Sequence, residues 1–467
     1  MRIANVKSAP LAGGSVLMAR PTQLLSETDG GRREAARHKD DTASQAQGPS
    51  GRMPNPSRQS LRGLDWFIFF LADVQTGFGP FIAVYLTTQK WTQAEIGFVL
   101  SIGGIISLVG QMPGGAIVDA ARSERLVAGL AITAIAFAAL GYAAWPILAV
   151  VLAAASLHAM ASCVLGPAIA AISLGLVGPL AIGERLGRNA RFASLGNGVA
   201  AAVMGTCGYF LTSRSVFLVT FVLAIPALLS LAQIREDEID AARAHGAVPL
   251  EEREKTTSIL GLIRLRALLI FAFVILLLQL ANAAMLPLMA GVVTARSSQW
   301  APVLIAACII VPQAIVALLS PSVGAKAQAW GRRPLLLLGL GAVAARGLLF
   351  STVHDPYLLV AVQVLDGITA SVFAVMVPLI VADVAFGTGH FNLAQGILGT
   401  ATGIGASLST ALAGYVSDRL GSSVAFAGLA AVATFCLAVI WFIMPETKPL
   451  AGAWITSPTP ARGSQGN

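Results

Sequence analysis

The sequence predicts an all-α polytopic membrane protein of twelve transmembrane helices in two six-helix halves, on three observations. Of 467 residues 56% are apolar and only 12% are charged, about half of the roughly 25% charged fraction of a soluble domain. The charges are also segregated, since residues 1–63, 235–266 and 445–467 hold 31 of the 54 and leave 23 for the remaining 349 positions. Finally, a bilayer core of ~30 Å needs about 20 residues of apolar helix, and runs of that length recur twelve times along the chain.

Residues 1–63 are rich in Ser, Arg, Gly and Pro, carry neither helical periodicity nor the apolar core of a secretory signal, and read as a disordered cytoplasmic extension. Met53 opens a second polar lead, MPNPSRQSLRG, so Met1 and Met53 both stand as starts. The spans follow at 64–86, 96–118, 126–145, 147–170, 192–211 and 216–234, then 267–290, 301–321, 335–353, 357–381, 393–416 and 424–444. The stretch 165–183 is apolar but interrupted by Pro167, Pro179 and glycines, which leaves the end of span four open. The loop 235–266 falls between spans six and seven and divides the chain into halves 64–234 and 267–447, with a disordered tail at 448–467.

Lys and Arg placement orients the chain. Twenty-six lie on the side of the termini and only Lys90, Arg214, Arg296 and Arg419 on the other, which predicts both termini in the cytoplasm of an inner-membrane protein. The net charge of +8 comes largely from the N-terminal stretch and forms no basic stripe with interleaved aromatics, so no nucleic-acid partner is expected. Cys163, Cys207, Cys308 and Cys436 each sit inside an apolar run without CxxC spacing, and the five histidines are scattered. With no HExxH, GxSxG or His/Cys cluster present, an enzyme, a metal site and a cofactor are all disfavoured.

The halves echo one another. The loop after span two reads Gly115-x-x-x-Asp119 with Arg122 and Arg125 following, and the loop after span eight reads Gly324-x-x-x-Gln328-x-x-Gly331-Arg332-Arg333, 209 residues later. Gly208-Tyr209 recurs as Gly414-Tyr415 and Pro167 as Pro378, so the repeat is parallel. Twelve spans, a long loop after the sixth and a twice-occurring G-x-x-x-D-[RK]-x-G-[RK]-[RK]-like loop closely resemble the major facilitator superfamily of secondary transporters over about residues 64–447. The resemblance implies a cytoplasmic gate at Gly115, Asp119, Arg122, Arg125, Gly324, Gly331, Arg332 and Arg333. Asp119 would lie near a partner helix's N-terminus, where backbone N–H groups favour negative charge, and the cations would pair across the halves. Two departures are visible: span five lacks the Gly-Pro motif of drug-exporting proton antiporters, and span four carries His158 in place of an arginine common in proton-coupled members.

Ionisable groups at membrane depth are functional candidates, because an uncompensated charge in hydrocarbon is costly. Asp73, His158 and Asp366 lie near the middles of spans one, four and ten, and Gln279 and Asn282 share a face of span seven at i, i+3. The resemblance makes these the four cavity-lining helices. Thr76 accompanies Asp73, and Gln363, Asp366 and Thr369 form one stripe of span ten. Arg346, in span nine, cannot shed its charge and is expected to pair with Asp366. For Gln279, Asn282 and Gln313 simple interhelical packing is an equal alternative. Together these residues imply a monomeric carrier of a small neutral or cationic organic solute, the cavity helices holding no arginine for a phosphate, with Asp73 or Asp366 handling a proton. A transporter-like sensor or scaffold without transport is the alternative.

Overall fold

The computed structural model describes residues 56–72, 74–75, 79–212, 214–247, 259–296, 301–353, 355–444 and 446–447. The expectations for residues 1–55 and 448–467, and for Asp73 and Thr76, lie outside them.

The described chain is helical throughout. The first span comes in two pieces, α1 (Arg58–Ala72) and α2 (Gly79–Thr88), with a wide π-type turn at 74–75 between them. Helix α1 starts at Arg58, six residues before the apolar run, because Ser57 and Ser60 bind the far end of span six: the Arg235 N–H donates to Ser60 Oγ at 3.0 Å. Then come α3 (Gln93–Ala120), α4 (Glu124–Ala144), α5 (Leu148–Phe210) and α6 (Ser215–Ala232). Thr92 and Glu95 form a capping box at the start of α3, and Ser123 caps α4 through the Leu126 N–H.

Helix α5 holds spans four and five as one element, bent at Gly178. There φ is +70°, a left-handed conformation open to glycine, and Pro179 has no N–H to lose at the break. Its arms are therefore 148–177 and 179–210. The second begins thirteen residues before the predicted 192, because polar residues 184–191 continue the helix where hydropathy reads a loop.

After α6 the short helices α7 (Ala241–Ala244) and α8 (Ile259–Ile263) lead into α9 (Arg266–Asn282) and α10 (Met285–Arg296). There follow α11 (Ala301–Trp330), α12 (Arg333–Thr352), α13 (Pro356–Val362), α14 (Val364–Val384), α15 (Phe391–Leu420) and α16 (Ser422–Phe442). Ten helices among the described residues are long and apolar enough to cross a bilayer. Of these α5 comprises two arms, while α1 and α2 are each too short to be counted.

Two apolar cores form, one from residues between Leu64 and Ala244, the other between Leu262 and Met444 with four side chains of α5 added. Large apolar side chains also face outward, Trp145, Phe210, Leu318 and Phe442 among them, which suits lipid rather than water as the surrounding solvent.

The cores meet along two seams, α3 against α15 and α5 against α11. At each seam glycine makes room for backbone. A Cβ on Gly115 would overlap the Asn392 carbonyl oxygen, and one on Gly396 that of Gln111; at the other seam a Cβ on Gly324 would overlap the Gly183 carbonyl oxygen, and one on Gly187 that of Ser320. Gln111 and Ser320, Gly115 and Gly324, Gly183 and Asn392, and Gly187 and Gly396 are each 209 residues apart. The offset read from the loops is thus carried by the contacts themselves, and one seam is the copy of the other.

Candidate functional site

Both seams close at the end of the molecule where the repeated loops lie. Asp119, in the last turn of α3, projects onto the first turn of α15. Its Oδ1 accepts from the Asn392 N–H at 3.1 Å and the Asn392 amide at 2.9 Å, and its Oδ2 from the Leu393 N–H at 2.7 Å. These are orphan donors of a helix N-terminus, where a carboxylate is best placed. In the second copy Gln328 donates from Nε2 to the Leu180 carbonyl at 3.3 Å, at the start of α5's second arm. An amide thus replaces the carboxylate and turns a charged clasp into a neutral one.

The predicted cations behave differently from the expectation. Arg122 is exposed and Arg125 half-buried, and neither makes an ion pair among the described residues. Arg332 is buried and pairs with Asp383 of α14 at 2.8 Å, within its own half, while its N–H donates to Glu446 at 2.8 Å. Gly331 turns the chain there with φ +89°, and Arg333 bonds the Trp441 carbonyl and lies over the Trp441 ring. Cross-half cation pairing is therefore corrected for this end: a buried guanidinium needs a nearby acid, and Asp383 supplies it inside the half.

A further layer crosses this end. Residues 235–247 run from α6 to the start of α15, where the Phe391 N–H donates to the His245 carbonyl at 3.2 Å and the Gly387 N–H to the Gly246 carbonyl at 2.7 Å. His245 Nε2 lies 3.0 Å from Glu124 Oε1. The hydrogen bond to Glu124 raises the imidazole's pKa above its ordinary value; burial opposes this, and the charges of Glu124 and Asp119 assist it. On α1, Asp65 is buried and takes Arg185 at 2.5 Å and Arg188 at 2.5 Å, both from α5. Arg185 also donates to Asn189 at 2.6 Å.

The midplane candidates form two groups. His158 Nε2 is 3.0 Å from the Gln75 carbonyl, which joins the first arm of α5 to the irregular turn of the first span. In the other half, spans seven and ten each carry a short irregularity within a continuous span, at 283–284 between α9 and α10 and at Gln363 between α13 and α14, where the dihedrals of Ala283 and Gln363 remain helical. Arg346 of α12 enters between these irregularities. It pairs with Asp366, donates to Asn282 Oδ1 at 2.9 Å and approaches Met285 Sδ at 3.2 Å. Its side chain is 2% exposed and that of Asp366 24%. Asp366 lies in the first turn of α14 rather than in the middle of a continuous helix. Thr369 leaves the expected stripe to bond the Gly339 carbonyl of α12 at 3.1 Å.

Gln363 is fully buried, with its side-chain amide in hydrogen-bonding contact with the Cys308 thiol of α11. Gln279 lies against Gly405 of α15, a contact within the second half, and Gln313 takes the Ser194 hydroxyl at the α5–α11 seam.

A cavity of about 390 Å³ lies between the halves, where α3, α5, α14 and α15 approach. Pro167 and Pro378, the repeated prolines, both line it, along with Gln111, Asn189, Gln395 and Thr402. None of His158, Gln279, Asn282, Arg346, Gln363 or Asp366 is among its lining residues. Asp366 stands eight residues along α14 from the cavity residue Ala374, ~12 Å of helix.

Sequence reasoning missed the Asp65 cluster, Asp383 and the Glu124–His245 contact. Arg185 and Arg188 at i, i+3 were a visible signal for one face of a helix, but a count of basic loops treats them as topology. The cavity amides carried no signal beyond their spacing.

The family described as the MFS_1 like family matches residues 61–428. Two proteins of Mycobacterium tuberculosis, the uncharacterized MFS-type transporters MT2531 (strain CDC 1551) and Rv2456c (strain H37Rv), are each 39% identical over 394 residues, covering 83% of this chain and 93% of theirs. Among solved structures, the MFS proton:xylose symporter XylE bound to 6-bromo-6-deoxy-D-glucose aligns with TM-score 0.64 and 14% identity over 84% of this chain and 96% of its own. The human organic anion transporter MFSD10 (TETRAN) aligns with TM-score 0.60 and 17% identity over 84% of this chain and 100% of its own. At those identities the likeness is one of fold. Family model, relatives and fold agree: the chain belongs to the MFS_1-like family of the major facilitator superfamily and is a multi-pass membrane protein of transporter rather than enzyme type.

Proposed function

We propose that the protein is a proton-coupled secondary transporter of the inner membrane, with both termini cytoplasmic, that moves a small neutral or cationic organic solute by alternating access as a twelve-helix monomer. The observation that carries the reading is the Arg346–Asp366–Asn282 cluster at the paired irregularities of spans seven and ten. Asp366, partly exposed beside a buried guanidinium, takes the proton; once neutral it frees Arg346, already held by Asn282, for solute. Asp119 and the two glycine seams serve as the gate, a reading supported by the Asp119–Leu393 hydrogen bond and the close backbone approach at Gly115 and Gly324.

The test is solute flux in reconstituted vesicles, across a chemically diverse panel, with and without an imposed pH gradient. The proposal expects gradient-driven accumulation of at least one solute, lost in Asp366→Asn while counterflow of the same solute persists. Flux that ignores the gradient would remove the proton coupling; a panel with no flux in either mode would favour a transporter-like sensor or scaffold.

A further inference from the structure

Beside the closed end lies a basic hollow that the transport reading does not use. Its volume is about 860 Å³, and Arg58 and Arg62 of α1 together with Arg185, Arg188 and Arg191 of α5 face it, against the acid Glu184. Arg185 and Arg188 are held by Asp65. Arg58, Arg62 and Arg191 are exposed and make no ion pair among the described residues. Five guanidiniums against Glu184 and Asp65 leave three positive charges in excess, a field that calls for an anion.

A second hollow says what kind of anion. An apolar groove of about 420 Å³ follows on along the same two elements, with Phe69 and Phe70 of α1, Val199 and Val203 of α5, and Leu218 and Val222 of α6 in its wall. The basic hollow ends at Phe192 and Leu195, and the groove begins at Gly196 and Val199. From Arg191 to Val203 is ~18 Å of helix, enough for the ~15 Å of hydrocarbon in one leaflet, and the groove continues past it to Leu211 and Ser215. Trp66, half-exposed, stands 6.2 Å from Phe192, itself 5.7 Å from the Arg188 guanidinium, an aromatic arrangement of the kind found at headgroup level. A free phosphate would use the first hollow and leave the second empty; a phospholipid fits both. Basic pockets between transmembrane helices on the cytoplasmic side recognise anionic headgroups in this way.

We propose that the hollow binds an anionic glycerophospholipid, its phosphate among Arg58, Arg62 and Arg191 and one acyl chain along the α1–α5–α6 groove. Pro321 and Ala325 of α11 complete the hollow from the other half. A lipid seated there touches both halves and favours the state closed at this end, because a ligand shifts an equilibrium by its differential affinity for the two states.

The experiment uses the full-length purified chain in detergent, titrated with phosphatidylglycerol, phosphatidylcholine or glycerol 3-phosphate, and reads retained lipid by native mass spectrometry and melting temperature in parallel. Phosphatidylglycerol should be retained and raise the melting temperature; the other two at equal concentration should do neither. Arg62→Gln/Arg191→Gln should weaken phosphatidylglycerol binding about thirtyfold, two basic residues at about 1 kcal/mol each. Arg264→Gln/Arg266→Gln, the same charge change at exposed positions elsewhere, should leave it within about twofold. If the double variant does not fold, Arg191→Gln alone should show about a fivefold loss. Val203→Trp, which fills the groove, should weaken phosphatidylglycerol binding and its effect on the melting temperature. Equal binding by wild type and the arginine variants overturns the proposal, as does glycerol 3-phosphate binding as tightly as the lipid, or a Val203→Trp variant that binds phosphatidylglycerol like wild type.

Discussion

Asp366→Ala removes the one carboxylate that meets Arg346 among the described residues. The guanidinium, 2% exposed, is then left with the Asn282 oxygen at 2.9 Å and the Met285 sulfur at 3.2 Å. One neutral hydrogen bond contributes about 1 kcal/mol, far less than desolvating a cation requires. Stranding one member of a buried pair costs about 3–5 kcal/mol, and Asp366→Ala belongs at the upper end. Arg346→Ala belongs at the lower end, because Asp366 keeps 24% of its side chain accessible and can be hydrated or protonated. In the double variant neither charge remains, and the residual loss is the vacated volume and the Asn282 hydrogen bond. The pairwise coupling should therefore reach about 2–4 kcal/mol. Denaturant titration of the four proteins in mixed micelles, followed by near-ultraviolet circular dichroism, measures each stability and closes the cycle. A double variant whose destabilisation equals the sum of the singles within about 0.5 kcal/mol would refute the pairing and move the proton site to Asp73.

Asp119→Asn replaces an anion at a helix N-terminus with an amide whose N–H groups face donors, and should weaken the closed end by about 2 kcal/mol, read as about thirtyfold greater thiol reactivity of a cysteine placed at the buried seam residue Ser320; unchanged reactivity would reduce Asp119 to a topology residue. Protonated His245 is stabilised by Glu124, with Asp119 and the Val118 carbonyl also facing it. Its pKa is raised over the unfolded ~6.5, so its contribution is fully present below pH ~6.5 and fades as pH rises through the raised value. Melting curves between about pH 5 and 9 should show that fall in wild type and lose it in His245→Gln; parallel curves for the two would contradict the assignment. Asp65→Asn strands Arg185, 5% exposed, and should lower folded yield by an amount corresponding to about 3–5 kcal/mol, restored in part by Arg185→Leu on the same background; no restoration would mean the carboxylate acts otherwise.

Much of this architecture is written in the sequence in readable form. Apolar runs mark the spans because lipid admits only internally satisfied backbone, and the offset of 209 between Gly115 and Gly324 marks the duplication because both glycines face the same kind of backbone carbonyl across a seam. Asp366 and Arg346 could be anticipated because isolated charges at depth need partners. The irregularities at 283–284 and Gln363 could not, since neither carries Gly or Pro; at the first, the Ala284 N–H donates to Ser409 Oγ of α15 at 3.1 Å, a tertiary contact that offsets the lost helical bond. Arg185 and Arg188 read as topology residues and Arg332 as a gate cation pairing across the halves, because their acids, Asp65 and Asp383, are 120, 123 and 51 residues away. Nothing local distinguishes a basic loop from half of a buried pair.

Alternating access about the two glycine seams is the central claim, and paired spin labels test it most directly. Labels at Ala181 and Ala325 report the end closed by Asp119, and labels at Phe210 and Ile309, all four exposed, report the opposite end. Double electron–electron resonance in vesicles at about pH 5 and pH 8, with the Asp366→Asn variant as a protonated-state mimic, should give two distances for each pair, with the first pair lengthening as the second shortens. A single distance for both pairs, unchanged by pH and by Asp366→Asn, would contradict the account.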